Sequence, residues 1–403
     1  MIKDINVKKI LAILFVCVLL VCYIRNNSFA LLPKWGEYLG QKIYDKDDTR
    51  ANEQITLDDL DTGYSTNLWN QKDYIDINGF MAKRLGIRGL YSDMGMYVTK
   101  SGYIESAYNP TNAEYEVEQL TEFRNFLDEN GINLLYVNEP IKYVDDEKFT
   151  EEFGLETYSN RNADRFMKGI REANINCIDL RDNIEEEGLE IEDLFYRTDH
   201  HWTVPTGFWA SKIMAQGLND MCGYNIDMSL YDDLKFDRKE WKEVWLGEQG
   251  RKVGRTYVGL DDYVEIVPNY STSYSFKHRD GSIVDGDFMG FVDEYIFNPE
   301  NDVYENISWH YGYQVEDVIN NNVEDGKILL VADSYSVATE CFLSLGVHEI
   351  DCIWLRQMDE NYSIRNTIIE NGYDTIIVAY SQIGIGAHDD GANVNYRMFD
   401  FDR

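Results

Sequence analysis

Two short segments of this chain hold residue types that can act together as a nucleophile, a base and an orienting acid. Asp199-His200-His201-Trp202 places a carboxylate two positions before an imidazole. Asp333-Ser334-Tyr335-Ser336 places a serine after the apolar run 328–332, where a helix is predicted to begin. A serine activated by a histidine, with an acid fixing the tautomer of that histidine, is the equipment of acyl transfer. The chain has six histidines, and His278, His310, His348 and His388 have no aspartate in the three positions before them. Each segment also has a plainer reading. Asp333 and Ser334 are good helix caps, and Asp199 precedes the predicted helix 204–221. A metal site built from His200, His201 and an acid such as Asp193 is a further alternative. Adjacent histidines diverge, so that alternative ranks below the triad of Ser334, His201 and Asp199, and no metal is expected.

The elements that must position these residues alternate. Apolar runs at 132–137, 176–180, 327–333, 350–355 and 375–380 read as strands. Helical spacing covers 115–130, 161–173, 204–221, 336–345 and 364–371. Strands separated by helices predict an α/β fold with a parallel sheet in three layers. Sites in such folds lie at the carboxyl ends of strands, where Ser334 falls. Between about 223 and 321 the alternation stops, and Gly, Asp and Tyr are frequent. That stretch is predicted to hold antiparallel strands, including 263–267 and 288–292, and long loops. Met94–Tyr103 reads as a hairpin turning at Lys100-Ser101-Gly102. Three further residues are candidates for substrate or oxyanion contact. Gly247 lies in the loop 246–251, Tyr380 ends a strand, and Lys142 follows a strand end, although a surface lysine is the plainer reading there.

Composition narrows the partners. The chain carries 72 acidic and 37 basic residues, a net charge of -35. Such a field repels phosphate backbones, so nucleic acid is excluded as a partner. Tyrosine is abundant, at 29 residues. Tyrosines suit sugar faces, although most are expected simply to fill strands. Lys3, Lys8 and Lys9 precede an apolar run from Ile10 to Ile24, short against the ~20 residues of a spanning helix. Residues 1–30 therefore read as a signal anchor or a signal peptide, 31–93 as a juxtamembrane spacer, and 94–403 as the exported domain. The expected location is the cell membrane in single-pass form, or secretion if the segment is cleaved. The six cysteines show no C-x-x-C spacing, and disulfides are not predictable from them.

The octapeptide Tyr196 to Thr203, followed by Gly207, resembles the signature of the DHHW family. That family is similar to the SGNH-hydrolase-like domains of alginate O-acetylation proteins. Those domains carry Asp-x-His-Trp and, later, a serine in a segment like Asp333 to Ser336. Ala332 stands where that block usually has glycine. The resemblance implies an SGNH-like domain with permuted motif order, with Asp199 as acid, His201 as base and Ser334 as nucleophile. It implies O-acetyl transfer to, or removal from, a cell-surface or secreted polysaccharide, without a cofactor. A membrane-bound O-acyltransferase would deliver the acetyl group. The alternative is a non-catalytic polysaccharide-binding or assembly component.

Overall fold

A computed structural model of the chain describes residues 70–402, apart from 91–94, 143–144, 279, 293–297 and 307–314, together with 16, 17, 20, 21 and 24. Most of the expected N-terminal anchor, and most of the expected spacer, lie outside the described residues. Among those described, no helix is long and apolar enough to cross a membrane. The chain divides into two units, Met1–Asn78 and Gly79–Arg403. Helix α1 (Gln71–Leu85) begins within the stretch read as spacer.

After α1 the second unit forms a three-stranded antiparallel sheet of β1 (Gly89–Leu90), β2 (Met96–Val98) and β3 (Ile104–Ser106). Its β2–β3 turn contains Gly102 at φ 93°, a left-handed conformation that favours glycine. The helices and strands that follow are α2 (Glu114–Glu129), β4 (Asn133–Glu139), α3 (Asp146–Phe153), α4 (Ser159–Glu172), β5 (Cys177–Asp179), α5 (Leu180–Glu187), α6 (Ile191–Leu194) and α7 (Val204–Cys222). The irregular stretch supplies β6 (Phe236–Trp245), α8 (Glu248–Val253), α9 (Arg255–Val258), β7 (Asp261–Pro268), β8 (Tyr274–His278), β9 (Ile283–Gly286) and β10 (Val315–Asn320). Alternation then resumes with β11 (Lys327–Ala332), α10 (Ser336–Leu343), β12 (Glu349–Ile353), α11 (Ile364–Asn371) and β13 (Thr375–Ser381).

The central sheet has eight strands in the order β5-β4-β13-β11-β12-β10-β8-β9. The first five are mutually parallel, and they are the five apolar runs of the sequence. β10, β8 and β9 extend the sheet in antiparallel fashion. Strand alternation divides the core into two layers. Leu135, Val137, Ile328, Leu330, Ala332, Ile377 and Ala379 join one cluster with α7 and α10. Leu134, Tyr136, Leu329, Val331, Ile376, Val378 and Tyr380 join the other with α2, α4 and α11. Helices on both faces of a parallel sheet are why these strands are apolar throughout rather than alternating.

One predicted strand is absent. Residues 288–292 form a turn of 3₁₀ helix over Phe288–Phe291 instead. Asp287 accepts from the Met289 amide, and its carbonyl accepts from the Gly290 amide, closing a turn that competes with the sheet. Gly290 also lies so close to the Phe276 ring that an added Cβ would stand 2.2 Å from it.

Candidate active site

Asp199 to Trp202 lies in the loop between α6 and α7, and Ser334 in the turn between β11 and α10. His201 Nε2 is 2.8 Å from Ser334 Oγ, and His201 Nδ1 is 2.7 Å from Asp199 Oδ1. With Nδ1–H donating to the carboxylate, Nε2 is left to accept the Ser334 proton. Ser334 is half-buried, whereas Asp199 and His201 are buried. The capping alternatives are resolved by the same geometry. Thr203 caps α7, through the Thr206 amide. Asp333, not Ser334, holds the turn before α10, its Oδ1 accepting from the Tyr335 amide at 2.9 Å.

Asp199 is held by more than its histidine. Its Oδ1 also accepts from the His201 amide, and its Oδ2 accepts from the Glu248 amide at 2.7 Å, at the start of α8. Burial alone would raise its pKa. The charge and hydrogen bond of His201, the nearby His200 and the Glu248 amide override it and hold the carboxyl well below the usual range. Asp199 thus stays an anion in a buried place, where it can stabilise an imidazolium.

The two motif segments are laced together by their other members. Trp202 Nε1–H donates to the Tyr335 carbonyl at 2.9 Å, and the Tyr335 hydroxyl donates to the His200 carbonyl at 2.5 Å. Upstream, Asp261 at the start of β7 accepts from the Arg197 and Thr198 amides and from the Thr198 hydroxyl. α7 and α10 cross closely, and a Cβ on Gly207 would stand 2.9 Å from Ala338 Cβ. That approach brings the helix after His201 against the helix after Ser334.

The His200 ring lies against that of His201, with centroids 3.7 Å apart and the planes tilted by 37°. Burial, then the neighbouring His201, lower its pKa. Ligand atoms of Asp199, His200 and His201 lie close enough together to hold an ion. Both ring nitrogens of His201 are already engaged, by Asp199 and Ser334, so metal binding would compete with the triad. Asp193 is exposed on α6 and is not in this group.

Three candidates are placed differently from the sequence reading. The Gly247 amide is spent on Thr198 Oγ1 at 2.8 Å, so it is not an oxyanion donor. Its role is space, because a Cβ there would stand 2.4 Å from Asp199 Cβ. Tyr380 does not face the cleft. Strand parity turns it into the α2–α4 layer, where its hydroxyl donates to the Met398 carbonyl at 2.7 Å. Lys142 is neither on the surface nor free for substrate. Its ammonium donates to the carbonyls of Ile104 and Arg197 and to Gln249 Oε1, at 2.8, 3.1 and 3.3 Å. It ties β3, the motif loop and α8 together.

Residues 96–223 match the family model described as the SGNH hydrolase-like domain of acetyltransferase AlgX. No curated protein matches the chain. Among solved structures it is similar to Bacillus cereus PatB1 with a sulfonyl adduct, at 17% identity and a TM-score of 0.58. That likeness covers 76% of this chain and 98% of the other. It is also similar to a DHHW family protein from Eubacterium siraeum, at 17% identity and a TM-score of 0.53, over 72% of this chain and 94% of that one. At these identities the structures show the fold. With the family model, they show the resemblance read from the motif at Asp199–Trp202.

Proposed function

We propose that this chain is a serine-dependent O-acyltransferase or esterase that moves acetyl groups on a polysaccharide. The observation that carries the reading is the single line of hydrogen bonds from Ser334 through His201 to Asp199. Ser334 Oγ attacks the acyl carbonyl while His201 Nε2 takes its proton, and Asp199 stabilises the imidazolium. The Tyr335 amide is committed to Asp333, so in this reading the Ser334 amide is the turn's donor to the resulting oxyanion. Collapse expels the leaving group, which takes the proton from His201, and leaves an acyl-serine. A sugar hydroxyl or water, deprotonated by His201, then attacks the acyl carbonyl and releases Ser334. In this reading the domain works outside the cytoplasm, held at the membrane by its N-terminal segment. A membrane-bound O-acyltransferase supplies the acetyl group.

The PatB1 structure carries a sulfonyl adduct, which makes an aryl sulfonyl fluoride the natural probe. Wild-type protein should gain one sulfonyl group on Ser334, and Ser334→Ala none. Absence of labelling at Ser334 in folded wild-type protein, together with retained polysaccharide binding, would move the protein to the non-catalytic class.

A further inference from the structure

Beneath the nucleophile turn lies an acid that takes no direct part in the acyl transfer. Glu139 ends β4, where it stands opposite Ser381 of β13. It has no exposed surface. Its Oε1 accepts from the Ser336 hydroxyl at 2.8 Å, and its Oε2 is buried without a partner among the described residues. A buried carboxylate needs several donors or a counter-ion, and Glu139 has one donor.

Among the described residues no counter-ion acts on Glu139, and Arg181 on α5, packed against β4, is paired with Asp179 and Asp164. The charged group that acts on Glu139 is another acid, Asp333. Asp333 has taken the donors of the turn, the Tyr335 amide on Oδ1 and the Ser381 amide and hydroxyl on Oδ2 at 2.9 and 2.6 Å. Of these two neighbouring acids, Asp333 has the donors that a buried carboxylate needs and Glu139 does not. The buried face of α7, packed against β4, carries no charged residue. From α10, Glu340 lies one turn beyond Ser336 and is itself an acid. Lys142, three residues along, directs its ammonium to Ile104, Arg197 and Gln249. Tyr136, earlier on β4, is a neutral phenol. Burial, reinforced by Asp333, pushes the Glu139 carboxyl far up.

We propose that Glu139 is a positioning residue of the transfer reaction: an uncharged carboxylic acid that fixes the first turn of α10 through Ser336 without adding a negative charge of its own beside the nucleophile turn. The proposal rests on the reading of Ser334 as nucleophile. In that reading the oxyanion formed there lies at the Ser334 amide, in the turn that Ser336 closes. A carboxylate at position 139 would oppose that charge in a medium that screens it poorly. An uncharged acid holds the same hydrogen bond without opposing it.

Two readouts test this on the full chain, using wild type, Glu139→Gln, Glu139→Ala and Ser336→Ala. The first is thermal and denaturant unfolding from pH 5 to 8. An acid charged in the unfolded chain and uncharged in the folded one takes up a proton on folding. Its wild-type unfolding constant should rise about tenfold per pH unit relative to Glu139→Gln. A wild-type to Glu139→Gln difference that stays flat over that range overturns the uncharged state. The second is the rate of sulfonyl labelling at Ser334. Glu139→Gln should label within about threefold of wild type at pH 7, whereas Ser336→Ala and Glu139→Ala should label at least tenfold more slowly. Wild-type speed in Ser336→Ala overturns the positioning role even if Glu139→Ala fails to fold. Tenfold slowing in a well-folded Glu139→Gln overturns the uncharged state as the working one. If wild type itself does not label at Ser334, the reading of the nucleophile fails and the positioning role falls with it. The unfolding arm still decides the charge of Glu139.

Discussion

Replacing Gly247 with alanine tests whether the acid of the site is held by space as well as by hydrogen bonds. Gly247 has φ -65°, so alanine meets no backbone strain there. The added methyl carbon would stand 2.4 Å from Asp199 Cβ, 2.6 Å from Asp199 Oδ2 and 2.6 Å from the Thr198 carbonyl oxygen. Ordinary contact begins near 3.4 Å, so Asp199 must retreat by about 1 Å. Thr198 cannot easily retreat with it, because Asp261 binds its amide and its hydroxyl. The strain should cost roughly 1–3 kcal/mol of stability, a loss the fold can absorb. The larger effect falls on His201, which Asp199 orients at 2.7 Å. A misplacement of about 1 Å in a catalytic array lowers the rate on the order of 100-fold. The assay is the rate of sulfonyl fluoride labelling at Ser334, with turnover of an acetyl ester beside it and thermal unfolding as the folding control. A Gly247→Ala protein that labels within threefold of wild type would refute the reasoning, because Asp199 would then tolerate the displacement.

Four other outcomes follow from the same geometry. Asp199→Asn should keep the fold but lower turnover by roughly 10⁴-fold, the size of effect that an amide holding the wrong tautomer has in a serine protease; a near-silent substitution would show that Asp199 only braces α8. Lys142→Met should leave two carbonyls and Gln249 without their buried donor and cost about 3 kcal/mol in denaturant unfolding, and an unchanged midpoint would show that the three hydrogen bonds contribute nothing net. Burial, opposed by Lys142 and reinforced by Glu152, pushes Glu105 up to about 8. Because its folded pKa lies above its unfolded one, its contribution is complete below about pH 4.5 and is lost as pH rises through 8; Glu105→Gln should remove that slope from the melting curve, and an identical slope would contradict it. On the proposed topology, protease added to intact protoplasts should digest the domain, and full protection would place it inside.

The strands were legible because each is a continuous apolar run, the mark of a sheet covered on both faces. The hydrogen-bonded grouping of Asp199, His201 and Ser334 was legible because Asp199 and His201 are two positions apart, and because Ser334 follows a strand directly. What surrounds it was not legible. Gly247 lies 49 residues from Thr198, and Asp261 lies 63 residues from it. Nothing local in the irregular stretch marks either as a partner of the motif. Lys142 looked like a surface residue because lysine usually is one, and the three acceptors that bury it come from β3, the motif loop and α8. Tyr380 was misplaced by its position at a strand end alone. Counting parity from Ile376 and Val378 assigns it to the other layer. Glu139 escaped attention for the same reason in reverse, since parity with Leu135 and Val137 puts it on the side of Ser336.

The order of strands carries a consequence for how the molecule forms. β13 comes last of the eight in the chain, yet it lies between β4 and β11 and pairs with both. β4 and β11 are not neighbours without it. Ser334 hangs from the end of β11, and its distance to His201 spans 133 residues of sequence. Contacts of such separation close late, because the loop entropy must be met before they contribute. A chain emerging from its N-terminus can form the β2–β3 hairpin, β4 with β5, and the helices of the motif loop. It cannot complete the sheet until residues 375–381 have been supplied. Ser334 and the β4 end of the site are therefore held in one continuous sheet only after residues 375–381 have joined it.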